Sequence, residues 1–135
     1  VITYLLDTSA LRHLFGTPGA LRPREGHIAA GVFHICEPTR AEFLYSATSP
    51  AHRDELAEEV DDVCHLAPVP RSAWRWVDTA QYKLTQRGQH RSAGAIDLLA
   101  CATAVHHGHT VLHVDHDFAT VGAVLKEVQQ GDVRA

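Results

Sequence analysis

Val1-Ile2-Thr3-Tyr4-Leu5-Leu6-Asp7-Thr8-Ser9 begins the chain with six residues that are mostly apolar or β-branched, then an acid and two hydroxyls. The apolar run reads as a buried strand. Asp7-Thr8-Ser9 offers helix N-cap chemistry, and Leu11, Leu14 and Phe15 keep helical spacing up to Gly16. The same alternation recurs along the chain. Val32–Cys36, a short piece of His65–Val69, and Thr110–Val114 are expected strands. Pro38 and Thr39 open a helix that carries Ala41, Leu44 and Tyr45 and that Ser49-Pro50 is expected to close. Leu56, Val60 and Val63 mark the next helix, and Ala73, Trp76, Val77, Ala80 and Leu84 place a longer one over Arg71–Arg87. Ile96, Leu99, Ala100, Thr103 and Ala104 define another, ended by Gly108, and a short helix is expected over Ala119–Lys126 before a weak tail. Thr17–Gly31, rich in Gly, Pro and Arg, is expected to be a loop with a short helix near Ile28. Strands alternating with helices imply an α/β fold with a mostly parallel sheet covered by helices.

Four carboxylates occupy similar local positions in this pattern. Asp7 ends the first apolar run, and Glu42 lies early in the helix Thr39-Arg40-Ala41-Glu42-Phe43-Leu44-Tyr45. Asp97 sits at the start of Ala95-Ile96-Asp97-Leu98-Leu99-Ala100, and Asp115 follows Thr110-Val111-Leu112-His113-Val114. Acids at the margins of apolar elements cost desolvation energy unless something positive compensates them. In open α/β sheets ligands bind at the carboxyl ends of strands, where Asp7 and Asp115 are expected. Gathered on one edge, such acids repel one another and invite a divalent cation held by hard oxygen ligands. Mg²⁺ or Mn²⁺ there would polarise a phosphoryl group and activate water for in-line attack on phosphorus.

Composition is consistent with that reading. At 135 residues the chain is expected to form one domain spanning 1–135, large enough for a core. The net charge of −4 argues at first against a nucleic-acid partner. There are 16 acids against 12 Lys plus Arg, so setting the four acids aside leaves 12 of each, and the excess negative charge equals the proposed site. No apolar run approaches the roughly 20 residues needed to cross a bilayer, and no signal peptide is expected. Cys36, Cys64 and Cys101 are odd in number and widely spaced, so each reads as a small core residue in a reducing cytoplasm.

Taken in order, Leu5-Leu6-Asp7-Thr8-Ser9-Ala10-Leu11, Arg40-Ala41-Glu42-Phe43-Leu44, Ala95-Ile96-Asp97-Leu98-Leu99-Ala100-Cys101-Ala102 and Val114-Asp115-His116-Asp117-Phe118 resemble the PIN-domain nucleases, and among them the VapC-type toxins of toxin–antitoxin pairs. The resemblance covers nearly the whole chain. It implies a PIN-like three-layer α/β/α sandwich with a mostly parallel central sheet. It also implies Mg²⁺- or Mn²⁺-dependent endoribonuclease activity on an RNA substrate, a homodimer, and a cognate antitoxin that occludes the site. Carried over, Asp7 and Asp97 would be the principal metal ligands, Glu42 and Asp115 would complete the cluster, and Thr8 or Ser9 would support it. The family often has Thr or Ser where His113 stands, so one supporting hydroxyl is expected to be missing. Asp115 and Asp117 compete for the fourth place, with Asp115 favoured and Asp117 as an auxiliary.

Other features admit plainer readings. Asp7 can be a helix cap, Glu42 and Asp97 first-turn carboxylates, and Asp115 and Asp117 turn residues. His106-His107-Gly108-His109, with His113 and His116, suggests zinc, but the spacing forms no pair of metal-binding arms; most of these read as helix-end or surface residues. Arg87-Gly88-Gln89-His90-Arg91-Ser92 is basic, and Arg87, His90 and Arg91 are candidate phosphate contacts or a solvated loop. Arg12, Arg22 and Arg24 form a second basic group. Trp74 and Trp76 read as core and dimer-face residues. Two other functions compete. A receiver or phosphotransfer domain wants a lysine at the end of a late strand, whereas Lys83 and Lys126, the only lysines, fall in expected helices. A non-catalytic PIN-like module binding RNA or protein would not need the intact acid set.

Overall fold

The computed structural model describes residues 1–135. Strand β1 (Tyr4–Leu6) turns at Asp7 into helix α1 (Thr8–Gly16). A single 3-10 turn at Arg22–Arg24 and the short α2 (Glu25–Ala29) lead to β2 (Phe33–Ile35), α3 (Glu37–Leu44) and α4 (Pro50–Val63). Then come β3 (His65–Leu66), α5 (Ala73–Gln86), α6 (Ala95–His107), β4 (Thr110–His113), α7 (Asp117–Val124) and β5 (Gln130–Asp132). The strands lie in the order β3-β2-β1-β4-β5, and every neighbouring pair is parallel. Tyr4 in the central strand faces Phe33 on one side and Thr110 on the other.

Helices cover both faces because side chains alternate along a strand. Leu5 and Val111 point into one core, shared with Val77, Ala80 and Leu84 of α5, Leu98 to Ala102 of α6, and Phe118 and Val121 of α7. Their neighbours Leu6 and Leu112 point into the other, with Phe33, Ile35, Leu11 and Leu14 of α1, Phe43 of α3, and Leu56 and Val60 of α4. The result is a three-layer α/β/α sandwich. Helix α6 buries seven residues in succession, Leu98 to Thr103 and Ala104, most of them small. Small side chains let a helix lie close against its neighbours on several sides, and the left-handed backbone at Gly108 (φ 76°) stops it. The three cysteines are buried and unpaired in these cores. No helix is long and apolar enough to cross a membrane.

Three sequence expectations need correction. The tail contains a fifth strand: Gln130, Gly131 and Asp132 pair with Val111, Leu112 and His113. Ser49-Pro50 starts α4 rather than closing α3; the Ser49 hydroxyl accepts the His52 N–H at 3.0 Å, and Pro50 stands where a helix has no use for an N–H. Helix α7 begins at Asp117, two residues early, because Phe118 anchors its first turn in the core.

Because all five strands are parallel, their carboxyl ends share one edge. Asp7 follows β1 there, and Asp115 follows β4 after one intervening residue. Helix α6 precedes β4 and runs against the strands, so its first turn, with Asp97, starts from the same edge.

Candidate functional site

Asp7 is 3% exposed and is the helix cap of α1. Its Oδ1 accepts the Ala10 N–H at 2.8 Å and the Ser9 hydroxyl at 2.7 Å; the same hydroxyl lies 3.0 Å from Oδ2. Capping uses part of the carboxylate and leaves its charge in place. Thr8 donates its hydroxyl to Glu42 Oε1 at 2.6 Å, tying α1 to the second turn of α3. Asp97 is half-buried in the first turn of α6, where Oδ2 accepts the Gly94 N–H at 3.3 Å. Asp115 is exposed beyond β4, and its Oδ1 accepts the Asp117 N–H at 2.9 Å.

Electrostatics show that these acids feel one another. Asp97 is pushed up to about 6 by burial first, and then by the charges of Asp7, Glu42 and Asp115, against the pull of the Gly94 N–H. Burial also raises Asp7, which is opposed by the Ala10 and Ser9 hydrogen bonds and the nearby His113, and reinforced by Asp115. Beneath them, the buried Cys101 thiol is raised by burial and by Asp97 and Asp7. No lysine or arginine forms an ion pair with these acids. The two ion pairs of the molecule, Arg40–Asp61 and Arg134–Asp132, lie away from the cluster. Every buried side-chain polar atom has a hydrogen-bond partner, so the quantity left unbalanced at this edge is charge and not hydrogen bonding.

Asp117 stands at the start of α7 and touches the cluster only through its N–H; it is Asp115 whose charge acts on both Asp7 and Asp97. Ser9 reaches further than an auxiliary hydroxyl, accepting the Val114 N–H at 3.0 Å and so linking the β1 and β4 ends. His113 is a correction to the reading of the histidines as surface groups: it is buried, its Nδ1 accepts the Asp115 N–H at 3.1 Å, and its ring stacks on Phe118. Its sequence signal was the apolar strand it ends. Arg87, His90 and Arg91 are exposed on the connection between α5 and α6, which leads into the turn bearing Asp97. Trp76 is half-buried against the α5–α6 core, whereas Trp74 is 63% exposed.

No group of three or more His, Cys, Asp or Glu side chains stands arranged to hold an ion as it is. The donor set nevertheless suits a hard divalent cation: four carboxylates with no lysine or arginine paired to them. Mg²⁺ keeps several waters and needs few direct protein ligands. None of the five main surface cavities is lined by these acids.

The PIN domain family model matches residues 4–124. Ribonuclease VapC6 of Mycobacterium tuberculosis is 37% identical over 113 residues, covering 84% of this chain and 89% of that protein. Ribonuclease VapC21 of the same organism is 33% identical over 126 residues, covering 92% and 89%. In three dimensions the chain is similar to one in the crystal structure of DNA-bound VapBC from Salmonella typhimurium, with a TM-score of 0.81, 16% identity, and coverage of 98% of this chain and 99% of that one. A chain of VapBC2 from Rickettsia felis, bound to a promoter DNA fragment, gives a TM-score of 0.80 at 14% identity, covering 97% and 98%.

Proposed function

The chain belongs to the PIN-domain family, and from that premise we propose that it is a metal-dependent endoribonuclease, the toxin of a toxin–antitoxin pair, acting as one domain over residues 1–135. The observation that carries this reading is the acid cluster, in which Asp7, Glu42 and Asp115 all raise Asp97 and no lysine or arginine pairs with them. The relatives named ribonucleases, aligned over most of their length, support RNA as the substrate. The VapBC titles of the structural neighbours support an antitoxin as the partner.

Asp7 and Asp97 would hold Mg²⁺ or Mn²⁺, with Glu42 and Asp115 binding directly or through water. The ion, when bound, would polarise the scissile phosphodiester and make a water acidic enough to attack phosphorus. The chain's own groups have separate tasks. Ser9 and the Ala10 N–H hold the Asp7 carboxylate in one orientation, and Thr8 does the same for Glu42. Asp97, pushed up to about 6, is ionised near neutrality at a cost that a bound cation would relieve. Asp117 is an auxiliary acid, while Arg87, His90 and Arg91 would meet substrate phosphates. Exposed Trp74 and Tyr82 on α5 (63% and 67%) support a homodimer face, and the site of action would be the cytoplasm.

The test is RNA cleavage by the purified chain after EDTA treatment and Mn²⁺ restoration. Asp7→Asn and Asp97→Asn are expected to abolish cleavage with the fold intact. Tight RNA binding with no metal-dependent turnover at high protein concentration would instead favour the non-catalytic binding module.

A further inference from the structure

Beside the acid edge, His113 and Gln130 form a contact that the cluster itself does not require. His113 closes β4 and is buried; its ring stacks on Phe118 with centroids 4.9 Å apart and planes 14° from parallel. Its two nitrogens face different partners. Nδ1 lies 3.1 Å from the Asp115 backbone nitrogen, and Nε2 lies 2.6 Å from Gln130 Oε1 on β5. A backbone N–H is always a donor, so Nδ1 must be bare, and the proton of the neutral ring must sit on Nε2 and be donated to Gln130. Turning the Gln130 amide round would set N–H against N–H, so the carbonyl orientation is the one that satisfies both groups.

We propose that Gln130 and His113 are positioning residues for the fourth acid: the Asp115 N–H sets the His113 tautomer, Gln130 anchors that tautomer by accepting from Nε2, and His113 in turn holds the backbone of Asp115 at the metal-binding edge. Two fasteners then fix the turn after β4. Ser9 takes the Val114 N–H and His113 takes the Asp115 N–H, while Asp115 Oδ1 takes the Asp117 N–H. The hydroxyl expected before the last acid is replaced by an imidazole, and the imidazole needs an acceptor behind it. Strand β5 supplies one. Space for it comes from Gly122 of α7, where an added Cβ would lie 3.1 Å from Gln130 Cγ. The arrangement follows the general pattern in which an outer hydrogen bond orients a group near a metal and sets its tautomer. It rests on the metal-site reading of the acid edge.

The test compares the full chain with Gln130→Leu, which removes the acceptor, and Gln130→Glu, which keeps one. Nitrogen-15 NMR of the histidine rings reports the His113 tautomer without metal or RNA, and titration with Mn²⁺ alone reports affinity. At a pH high enough to keep the ring neutral in every variant, the expected result is a pure Nε2–H tautomer in the native chain and in Gln130→Glu. Gln130→Leu should lose it and bind Mn²⁺ roughly tenfold more weakly, the low end of outer-shell losses. Gly122→Ala, which keeps the helix but crowds Gln130, provides the same test should Gln130→Leu fold poorly, and it should disturb the tautomer in the same direction. An unchanged tautomer in the folded Leu or Ala variant overturns the proposal, as does equal loss of Mn²⁺ affinity in the Glu and Leu variants. A native chain that shows the tautomer but neither binds Mn²⁺ nor cleaves RNA would overturn the nuclease reading and the metal-positioning role with it, leaving only the hydrogen-bond chain.

Discussion

Asp97 shows what the acid edge costs the folded chain. Its carboxyl is pushed up to about 6 from 3.8, so at neutral pH the group is ionised and the fold bears the cost of that charge. An unpaired charge in this position destabilises the protein, and the proposed cation would relieve it. Asp97→Asn keeps the shape and an oxygen for the Gly94 N–H but removes the charge, so in EDTA it is expected to be more stable than the native chain by roughly 1 to 2 kcal/mol after screening is allowed for. Thermal unfolding with and without Mn²⁺ checks both halves of this. The variant should melt higher in EDTA and gain nothing from the metal, whereas the native chain should gain; a variant melting lower in EDTA would refute the strain. Ser9 is the opposite case, since its hydroxyl serves the buried Asp7 and the Val114 N–H together. Ser9→Ala leaves two groups short of a partner and is expected to cost about 1–3 kcal/mol in urea unfolding. A loss of stability no greater than for an exposed serine such as Ser72 would count against the link between the two strand ends.

At the level of elements, what could be read from the sequence followed how local the cause was. The β1–Asp7–α1 unit was legible because strand pattern, cap and helix spacing are contiguous, and the cap does accept the Ala10 N–H. Strand β5 was not, because Gln130-Gly131-Asp132 contains no β-branched or large apolar residue; it is a strand only because the β4 ladder, nearly twenty positions earlier, holds it. With β5 unseen, the contact between His113 and Gln130 could not be foreseen either. Ser49-Pro50 was ambiguous for a different reason. Proline ends a helix on one side and begins one on the other, and Ser49 decides between them by capping. Ser49→Ala is therefore expected to lower stability by about 1 kcal/mol and to loosen the first turn of α4. Amide exchange at His52 and Arg53 should quicken while exchange in α3 stays unchanged; faster exchange in α3 would restore the closing role. The order of the four acids and their repulsion were expected from the sequence, but how far burial raises Asp97 was not, since it depends on how helices α3 and α6 pack at the strand ends.

Across the whole molecule the two edges of the sheet answer acid in opposite directions. Opposite the acid edge, where the strands begin, four histidines stand in a row. The ring of His34 stacks on that of His109 at 4.2 Å, with His65 and His107 each 5.7 Å away at either end. The Thr3 hydroxyl meets His109 Nδ1 at 2.6 Å, and His34 Nδ1 faces the carbonyls of Val32 and Tyr4. His109 is lowered to about 4 from 6.5 by burial and by its neighbours His34 and His107. The unfolded chain thus takes up this proton at higher pH than the folded one, so His109's contribution is intact above about 6.5 and is lost as pH falls towards 4. At Asp97 the folded chain takes up the proton first, so the strain it imposes is full above about 6 and relieved as pH falls towards 3.8. These effects oppose each other over nearly the same range, and difference curves separate them. The advantage of Asp97→Asn over the native chain in EDTA should shrink steadily as pH falls from about 6 to 3.8. For His109→Asn, which keeps a partner for the Thr3 hydroxyl, stability relative to the native chain should rise over about 6.5 to 4. Urea unfolding of the three proteins across that range measures both slopes. Parallel slopes, or a flat His109→Asn curve, would show that the histidine row does not oppose acid and that the two edges do not balance.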